Sequence, residues 1–145
     1  MKGFSFSEFK PTILFLTKFI GLYVVSNFLY GLYVTSFRPQ PDAVTNLVAR
    51  HTVTVLSLCG YTGIEVVDHT RKPNTLILHD KSSVLSIYEG CNGINSMIMF
   101  AAFVFAFGPI SKKMLWFVPA GLIVIHLANL GRISLLFHIA EIFPQ

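Results

Sequence analysis

The sequence predicts an all-α integral membrane bundle that carries a small helix-plus-β-meander insertion on one membrane face. Only 12% of the 145 residues are charged and 53% are hydrophobic, whereas soluble domains carry about 25% charged residues. Three apolar runs reach the ~20 residues that a helix needs to cross a bilayer, and a polar stretch separates the first run from the second. These observations exclude a soluble globule, and residues 1–145 are expected to form one membrane domain.

The three predicted spans cover residues 12–36, 91–110 and 114–140. The first is not a cleaved signal peptide, because its apolar core exceeds the ~7–15 residues of a signal-peptide core. Lys112 and Lys113 lie in the very short connection between the second and third spans, where the positive-inside bias is strongest. We therefore expect the N-terminus and this lysine pair in the cytoplasm and the loop 37–90 outside.

Within that loop, Asp42 can cap the start of a helix and Gly60 can end it. Five apolar residues recur at spacings that suit one helix face: Val44, Leu47, Val48, Val55 and Leu58. Three short extended runs separated by turn-forming residues follow, and they predict strands over residues 64–68, 75–79 and 84–88. The loop is thus expected to fold as a helix followed by a β-meander.

Familiar sequence motifs of serine hydrolases, zinc peptidases and nucleotide-binding proteins are absent from the chain. Its basic residues are scattered and form no stripe that could follow a phosphate backbone, so nucleic-acid binding is not expected. We expect neither a cofactor nor a bound metal.

Cys91 and Arg132 are the candidate catalytic residues. Cys91 lies where the polar loop turns into the second span, and a thiol at a helix N-terminus is favoured as thiolate by the helix dipole. Arg132 follows Met114 by 18 residues, so at ~1.5 Å per residue it lies about 27 Å along the third span. In two antiparallel spans, this rise brings the guanidinium to the level of the thiol.

Two polar residues, His126 and Asn129, share a helix face with Arg132 and are expected to face the bundle rather than lipid. Structural roles stay open as alternatives. Arg132 could pair with Glu89 or Glu141 to hold the bundle together. Cys59 lies in an apolar run without a basic neighbour and is expected to be a core residue.

The pattern Glu89-x-Cys91-Asn92-Gly93-Ile94, followed 41 residues after the cysteine by the arginine of Asn129-x-x-Arg132, resembles the exosortase and archaeosortase family of membrane cysteine transpeptidases. The compact chain is most similar to the exosortase F group. The resemblance implies that Cys91 is the nucleophile, that Arg132 acts with it, and that Asn129 orients the arginine. It also implies a third basic catalytic residue, usually histidine.

The same resemblance implies a multi-pass protein of the bacterial cytoplasmic (inner) membrane with its active site at the extracytoplasmic face. Its substrates would be secreted proteins that end in a short motif, an apolar span and a basic tail. Their C-terminal sorting signals would be cut through a thioester on Cys91. Lipid and these substrates are the expected partners.

The C-terminus departs from the family pattern. Members generally continue through a further span that bears the third catalytic residue, whereas this chain stops 13 residues after Arg132. His138 is the only downstream histidine, and it points about 240° round the helix from Arg132. Either a fourth span is missing or another group fills the third role. The rival interpretation is a catalytically silent membrane scaffold or partner-binding subunit.

Overall fold

A computed structural model describes residues 6–68, 72–108 and 111–143. Over these residues the chain forms helix α1 (Phe6–Thr35), helix α2 (Ala43–Leu58), strands β1 (Ile64–Asp68), β2 (Asn74–His79) and β3 (Ser82–Tyr88), helix α3 (Ile94–Phe107) and helix α4 (Lys112–Ile142). The predicted order of span, helix, meander and two further apolar helices is confirmed.

By length and composition, two stretches of the described chain can cross a membrane: Phe9–Phe37, which contains most of α1, and Lys112–Ile142, which is α4. A third full span was expected over 91–110, where the structure has the shorter apolar helix α3. Helix α3 has 14 residues and is about 21 Å long, short of the ~30 Å hydrocarbon core. Gly93 has a left-handed φ of 84° and delays the helix start. Gly108 is extended, as the residue before a proline tends to be, and ends the helix.

Aromatic side chains join α1 to α3. The ring of Phe15 meets the rings of Phe103 and Phe107 edge to face, each at a centroid distance of 5.7 Å. Phe19 contacts Phe103 in the same way at 6.2 Å. Most of the other apolar side chains of α1 are exposed, which suits a helix surrounded by lipid.

Helix α2 begins and ends where the sequence predicts. The Asp42 carboxylate accepts hydrogen bonds from the backbone N–H groups of Val44 (2.9 Å) and Thr45 (3.1 Å), which caps the first turn. At the other end Gly60 has a φ of 95°, and the Tyr61 N–H reaches back to the carbonyl of Leu56. This pairing is a Schellman motif, which needs a left-handed residue such as glycine.

The buried face of α2 overlaps the predicted one. Val48 is buried and Val44 and Val55 pack against the core, but Leu47 and Leu58 are 49% and 84% exposed. The fully buried residues are Thr45, Val48, Ala49, Thr52 and Leu56. The apolar pattern did not include the two threonines of this face. The hydroxyl of Thr52 is satisfied within the helix by the carbonyl of Val48, at 2.9 Å, so it can be buried.

The three strands form an antiparallel sheet in the order β1-β2-β3, which confirms the meander. Asp80 and Lys81 connect β2 to β3 and both have positive φ. Two such residues make a type I′ hairpin turn, whose twist matches that of the strands.

One apolar core joins α2, the sheet and the C-terminal part of α4. Its buried members are Val48, Ala49, Leu56, Ile77, Ile87, Leu130, Ile133 and Phe137. Helix α4 has 31 residues and is about 46 Å long, more than a bilayer requires. Its N-terminal part is therefore available to the membrane. From Leu130 onward, α4 packs against α2 and the sheet, which together are called the loop module.

Helices α3 and α4 meet at a glycine. A Cβ atom added at Gly121 would lie 2.2 Å from Cζ and 2.4 Å from Cε1 of Phe100. The same phenylalanine ring packs on Phe117 at a centroid distance of 5.7 Å. Gly121 is thus the notch in α4 that receives Phe100. Gly131, ten residues later on the same helix, has no such neighbour within 4 Å.

This difference gives a matched pair of variants. Gly121→Ala should destabilise the bundle, because overpacking costs about 1–3 kcal/mol and outweighs the ~1 kcal/mol that alanine gains in helix propensity. Gly131→Ala keeps the propensity gain without the clash and should be neutral or stabilising. Thermal unfolding in detergent measures both. Equal melting temperatures for the two variants would show that Phe100 does not pack closely on α4.

Candidate catalytic site at the start of helix α3

Cys91 lies in the connection between β3 and α3. Its backbone N–H donates to the carbonyl of Tyr88 at 2.8 Å, which closes a tight turn over Glu89 and Gly90. The Cys91 side chain is half-buried and is a free thiol. The predicted place of the thiol at a helix start is therefore correct, with Asn92 and Gly93 between it and the first helical residue.

The side chain of Asn92 holds this helix start in place. It is 1% exposed, and its amide oxygen accepts from the N–H of Ile94 at 3.1 Å. Its amide nitrogen donates to the hydroxyl of Tyr30 at 2.6 Å and to that of Thr45 at 3.2 Å. The Thr45 hydroxyl in turn donates to Asp42. One buried polar network thus connects α1, the first turn of α2 and the first turn of α3.

Asn129 fixes the same segment from α4. Its amide donates to the carbonyl of Cys91 at 3.0 Å. A Cβ atom at Gly93 would lie 3.1 Å from Cγ of Asn129, so the close approach requires glycine there as much as the positive φ does. The resemblance implied that Asn129 orients Arg132. The hydrogen bond places it at the cysteine backbone instead.

Arg132 lies three residues beyond Asn129 on α4 and is exposed. The two carboxylates considered as structural partners are engaged elsewhere: Glu89 pairs with Arg38 at 3.6 Å, and Glu141 pairs with His79 at 2.8 Å. The charge of Arg132 acts on the phenol of Tyr88. Asn129 and Arg132 thus belong to the stretch of α4 that meets the Cys91 turn.

Tyr88 is a functional candidate that the sequence reasoning missed. Its ring covers Gly90, where a Cβ atom would come within 2.5 Å of the ring carbon Cε2. Interaction with the Cys91 side chain raises the pKa of Tyr88 above its usual value, while the charge of Arg132 acts in the opposite direction. The sequence did offer a sign of this: an aromatic residue ends the third predicted strand, and a glycine directly precedes Cys91.

The histidines described in the structure have other partners. His126 pairs with His51 of α2 at 2.9 Å, so the predicted polar face of α4 contacts α2 at this point. His138 is hydrogen-bonded to Tyr61. Among residues 6–68, 72–108 and 111–143, no group of three or more His, Cys, Asp or Glu side chains is arranged to hold a metal ion.

Cys59 differs from expectation, since it is exposed rather than part of the core. It lines a cavity of about 480 Å³ together with Tyr61, Ser134 and His138. A histidine is therefore nearby, although the apolar sequence around Cys59 gave no sign of one. In this cavity a thiol and an imidazole line the same surface.

A cavity of about 280 Å³ adjoins the Cys91 turn. It lies between the C-terminal part of α1 and the start of α3, and its polar lining consists of Asn27, Tyr30, Thr35, Arg38, Glu89 and Asn95. The Oε2 atom of Glu89 is buried and has no hydrogen-bond partner among the described residues.

The chain was compared with known proteins. The sequence model described as "Transmembrane exosortase" matches residues 13–145, which is most of the chain. No curated protein and no solved structure matches.

Proposed function

The chain belongs to the transmembrane exosortase family, and from this premise we propose that it is a membrane cysteine transpeptidase of the exosortase F type, with Cys91 as nucleophile and Arg132 as its cationic partner. Family membership supports a membrane protease or transpeptidase role in general. The residue assignment is our proposal. It depends chiefly on one observation, the hydrogen bond from Asn129 of α4 to the Cys91 carbonyl.

That bond joins helix α4 to the Cys91 turn, which leads into helix α3. Asn129 contacts the cysteine backbone, and Arg132 follows less than one turn later on α4. A guanidinium in this position can stabilise negative charge on the thiolate and on the oxygen of a carbonyl that the thiolate attacks. The pair therefore supports acyl transfer from a peptide to Cys91 and from the thioester to water or an amine.

The proposed substrate is a secreted protein that ends in a short motif, an apolar span and a basic tail. The cavity between α1 and α3 adjoins the Cys91 turn and offers a bound peptide the polar side chains that line it. The exposed apolar surface of α1 offers the apolar span a place beside the bundle. We further propose that the loop module and Cys91 are extracytoplasmic, in the bacterial inner membrane.

The nucleophile is tested by removing each thiol in turn. In the source organism, candidate substrates carrying a C-terminal epitope should lose the epitope when the wild-type gene is present. Cys91→Ala should abolish this processing, and Cys59→Ala should leave it intact. The two variants are matched, because each removes one free thiol. Processing that needs Cys59 instead would move the active site to the Tyr61 and His138 cavity. If wild-type protein releases no epitope, the scaffold interpretation is favoured.

Arg132→Lys should reduce the processing rate by about 10²–10³, the usual cost of losing one group that stabilises the oxyanion. Lysine keeps the charge but lacks the planar, bidentate donor group. Since Arg132 is exposed, protein abundance should not change. Arg50→Lys, an exposed substitution on α2, is the control and should process normally. A fully active Arg132→Lys protein would exclude Arg132 from the reaction.

The orientation is tested with single cysteines in a Cys59→Ser, Cys91→Ser protein. Ser82 begins β3 and Ser111 precedes α4, and both are exposed. A membrane-impermeant maleimide applied to intact cells should label Ser82→Cys and should label Ser111→Cys only after the membrane is broken. The reverse pattern would invert the topology and exclude a secreted substrate.

A further inference from the structure

Strand β3 lies at an edge of the sheet and leads directly to Cys91. In the order β1-β2-β3 it pairs with β2 alone among the described strands. From Tyr88, its last residue, the chain passes through the tight turn to Cys91. An edge strand can pair with an extended segment of another chain through its outward-facing backbone groups. The edge of β3 therefore offers a peptide a path that ends at the proposed nucleophile.

A groove runs between this edge and the last turns of α4. It is a cavity of about 770 Å³, and residues 82–85 of β3 form one of its walls. The opposite wall is an apolar stripe of α4 made of Leu136, Ile139, Ala140 and Phe143. All of these except Ala140 are large and exposed, so the stripe can receive apolar side chains of a bound peptide. This cavity is called the β3 groove below.

Both walls of the β3 groove continue toward the candidate catalytic residues. The strand wall continues through Tyr88 to Cys91. On the helix wall, Leu136 follows Arg132 by four residues, so the two side chains lie on the same face of α4. A peptide that follows the two walls thus passes from the groove to the Cys91 turn and to the α4 face that bears Arg132.

Two polar contacts hold the walls together, one beyond each end of the stripe. At the outer end, Glu141 of α4 is hydrogen-bonded to His79, the last residue of β2, at 2.8 Å. At the inner end, the Asn129 amide donates to the Cys91 carbonyl at 3.0 Å. Glu141 follows Asn129 by 12 residues, about 18 Å along the helix. The groove is therefore formed before a peptide binds, which lowers the entropic cost of binding.

We propose that the substrate segment preceding the cleavage site binds in the β3 groove as a fourth strand paired with β3. This proposal rests on the proposed function, because it assigns a binding mode to the substrate of Cys91. Main-chain hydrogen bonds to β3 hold the segment in an extended conformation. Successive side chains of a strand point to opposite faces, so alternate side chains of the segment contact the apolar stripe of α4.

The direction of the added strand follows from the topology. β3 runs from the outer end of the groove toward Cys91, which precedes the apolar helix α3. A substrate with a C-terminal apolar span likewise runs from its secreted part toward the membrane. The added strand is therefore parallel to β3. Beyond the cleavage site, the substrate continues into the cavity between α1 and α3 that adjoins the Cys91 turn.

A bulge divides β3 into two parts. Its register with β2 shifts by one residue, which leaves Val84 as the extra residue. Regular pairing is thus confined to Leu85–Tyr88, the part nearest to Cys91. At ~3.3 Å per residue, these four residues match about four substrate residues close to the cleavage site.

Disulfide cross-linking tests the place and the direction of the added strand. The probe is an epitope-tagged secreted protein of the source organism that ends in a short motif, an apolar span and a basic tail. Single cysteines are placed in turn at the positions leading up to its motif. It is co-expressed with a full-length Cys59→Ser, Cys91→Ser protein that carries one exposed new cysteine, either Ser82→Cys or Ser86→Cys.

Both new cysteines should cross-link to the probe. On going from Ser82→Cys to Ser86→Cys, the most reactive probe position should move toward the C-terminus of the probe. Glu65→Cys is the control, because it is exposed on β1 at the opposite edge of the sheet and should give no cross-link. Absence of cross-links to β3, or cross-links to Glu65→Cys alone, would overturn the proposal. A shift toward the N-terminus would mean an antiparallel strand and would overturn the assigned direction.

A matched pair of variants on α4 tests the apolar wall. Ile139→Asp puts a charge in the groove and should slow epitope release about tenfold, as expected for loss of one apolar contact. Ile142→Asp changes a similarly exposed isoleucine that does not line the groove, and it should process normally. Equal rates for the two variants would show that the substrate does not contact the stripe.

The cross-linking needs no catalysis, so it separates this proposal from the proposed function. If Cys91→Ala is inactive and no cross-link to β3 forms, the nucleophile stands and the binding mode is wrong. If Cys91→Ala still processes the probe, the proposed function fails, and cross-links to β3 would then support the groove as a peptide site on their own.

Discussion

The buried amide of Asn92 is the constraint on which the Cys91 end of the molecule depends. A buried amide without hydrogen-bond partners costs about 1–3 kcal/mol, so its partners are held once the fold forms. Those partners come from three elements: Tyr30 of α1, Thr45 of α2 and the backbone of α3. None of these helices can move relative to the others at this point without leaving a buried polar group unpaired.

The network also links the membrane part of the fold to the loop module. Asp42 accepts both the N–H groups that begin α2 and the Thr45 hydroxyl, so one carboxylate caps a helix and ends the network. On the far side of Cys91, contacts are apolar, with Phe137 of α4 packed among α2 and the sheet. Cys91 thus lies between the polar Asn92 network and the apolar core, and both restrict the position of its turn.

Much of this arrangement could be predicted from the sequence, because local rules govern it. The ends of α2 follow from a capping aspartate and a C-terminal glycine, and the meander follows from alternating strands and turns. The contact between the Asn129 segment of α4 and the Cys91 turn agrees with a count of helical rise. Each of these features depends on residues close together in the chain, or on a length that can be counted.

The parts that could not be predicted depend on contacts between distant segments. Thr45 and Thr52 are buried because of hydrogen bonds that a count of apolar residues ignores. Cys59 is exposed because the core lies on another face of α2. The Tyr88 ring lies over Gly90 only because the chain reverses there, and the sequence shows that glycine without showing which way the ring turns.

The notch at Gly121 aligns α3 with α4 along the bundle axis. Phe100 follows Cys91 by nine residues, and Arg132 follows Gly121 by eleven, about 16 Å of helix. Seating the ring in the notch therefore fixes the axial registration of α4 against α3. Sliding by one helical turn, about 5.4 Å, would drive Phe100 into Cβ-bearing neighbours of the glycine. A contact within the apolar bundle thus helps to hold the Asn129 segment of α4 against the Cys91 turn.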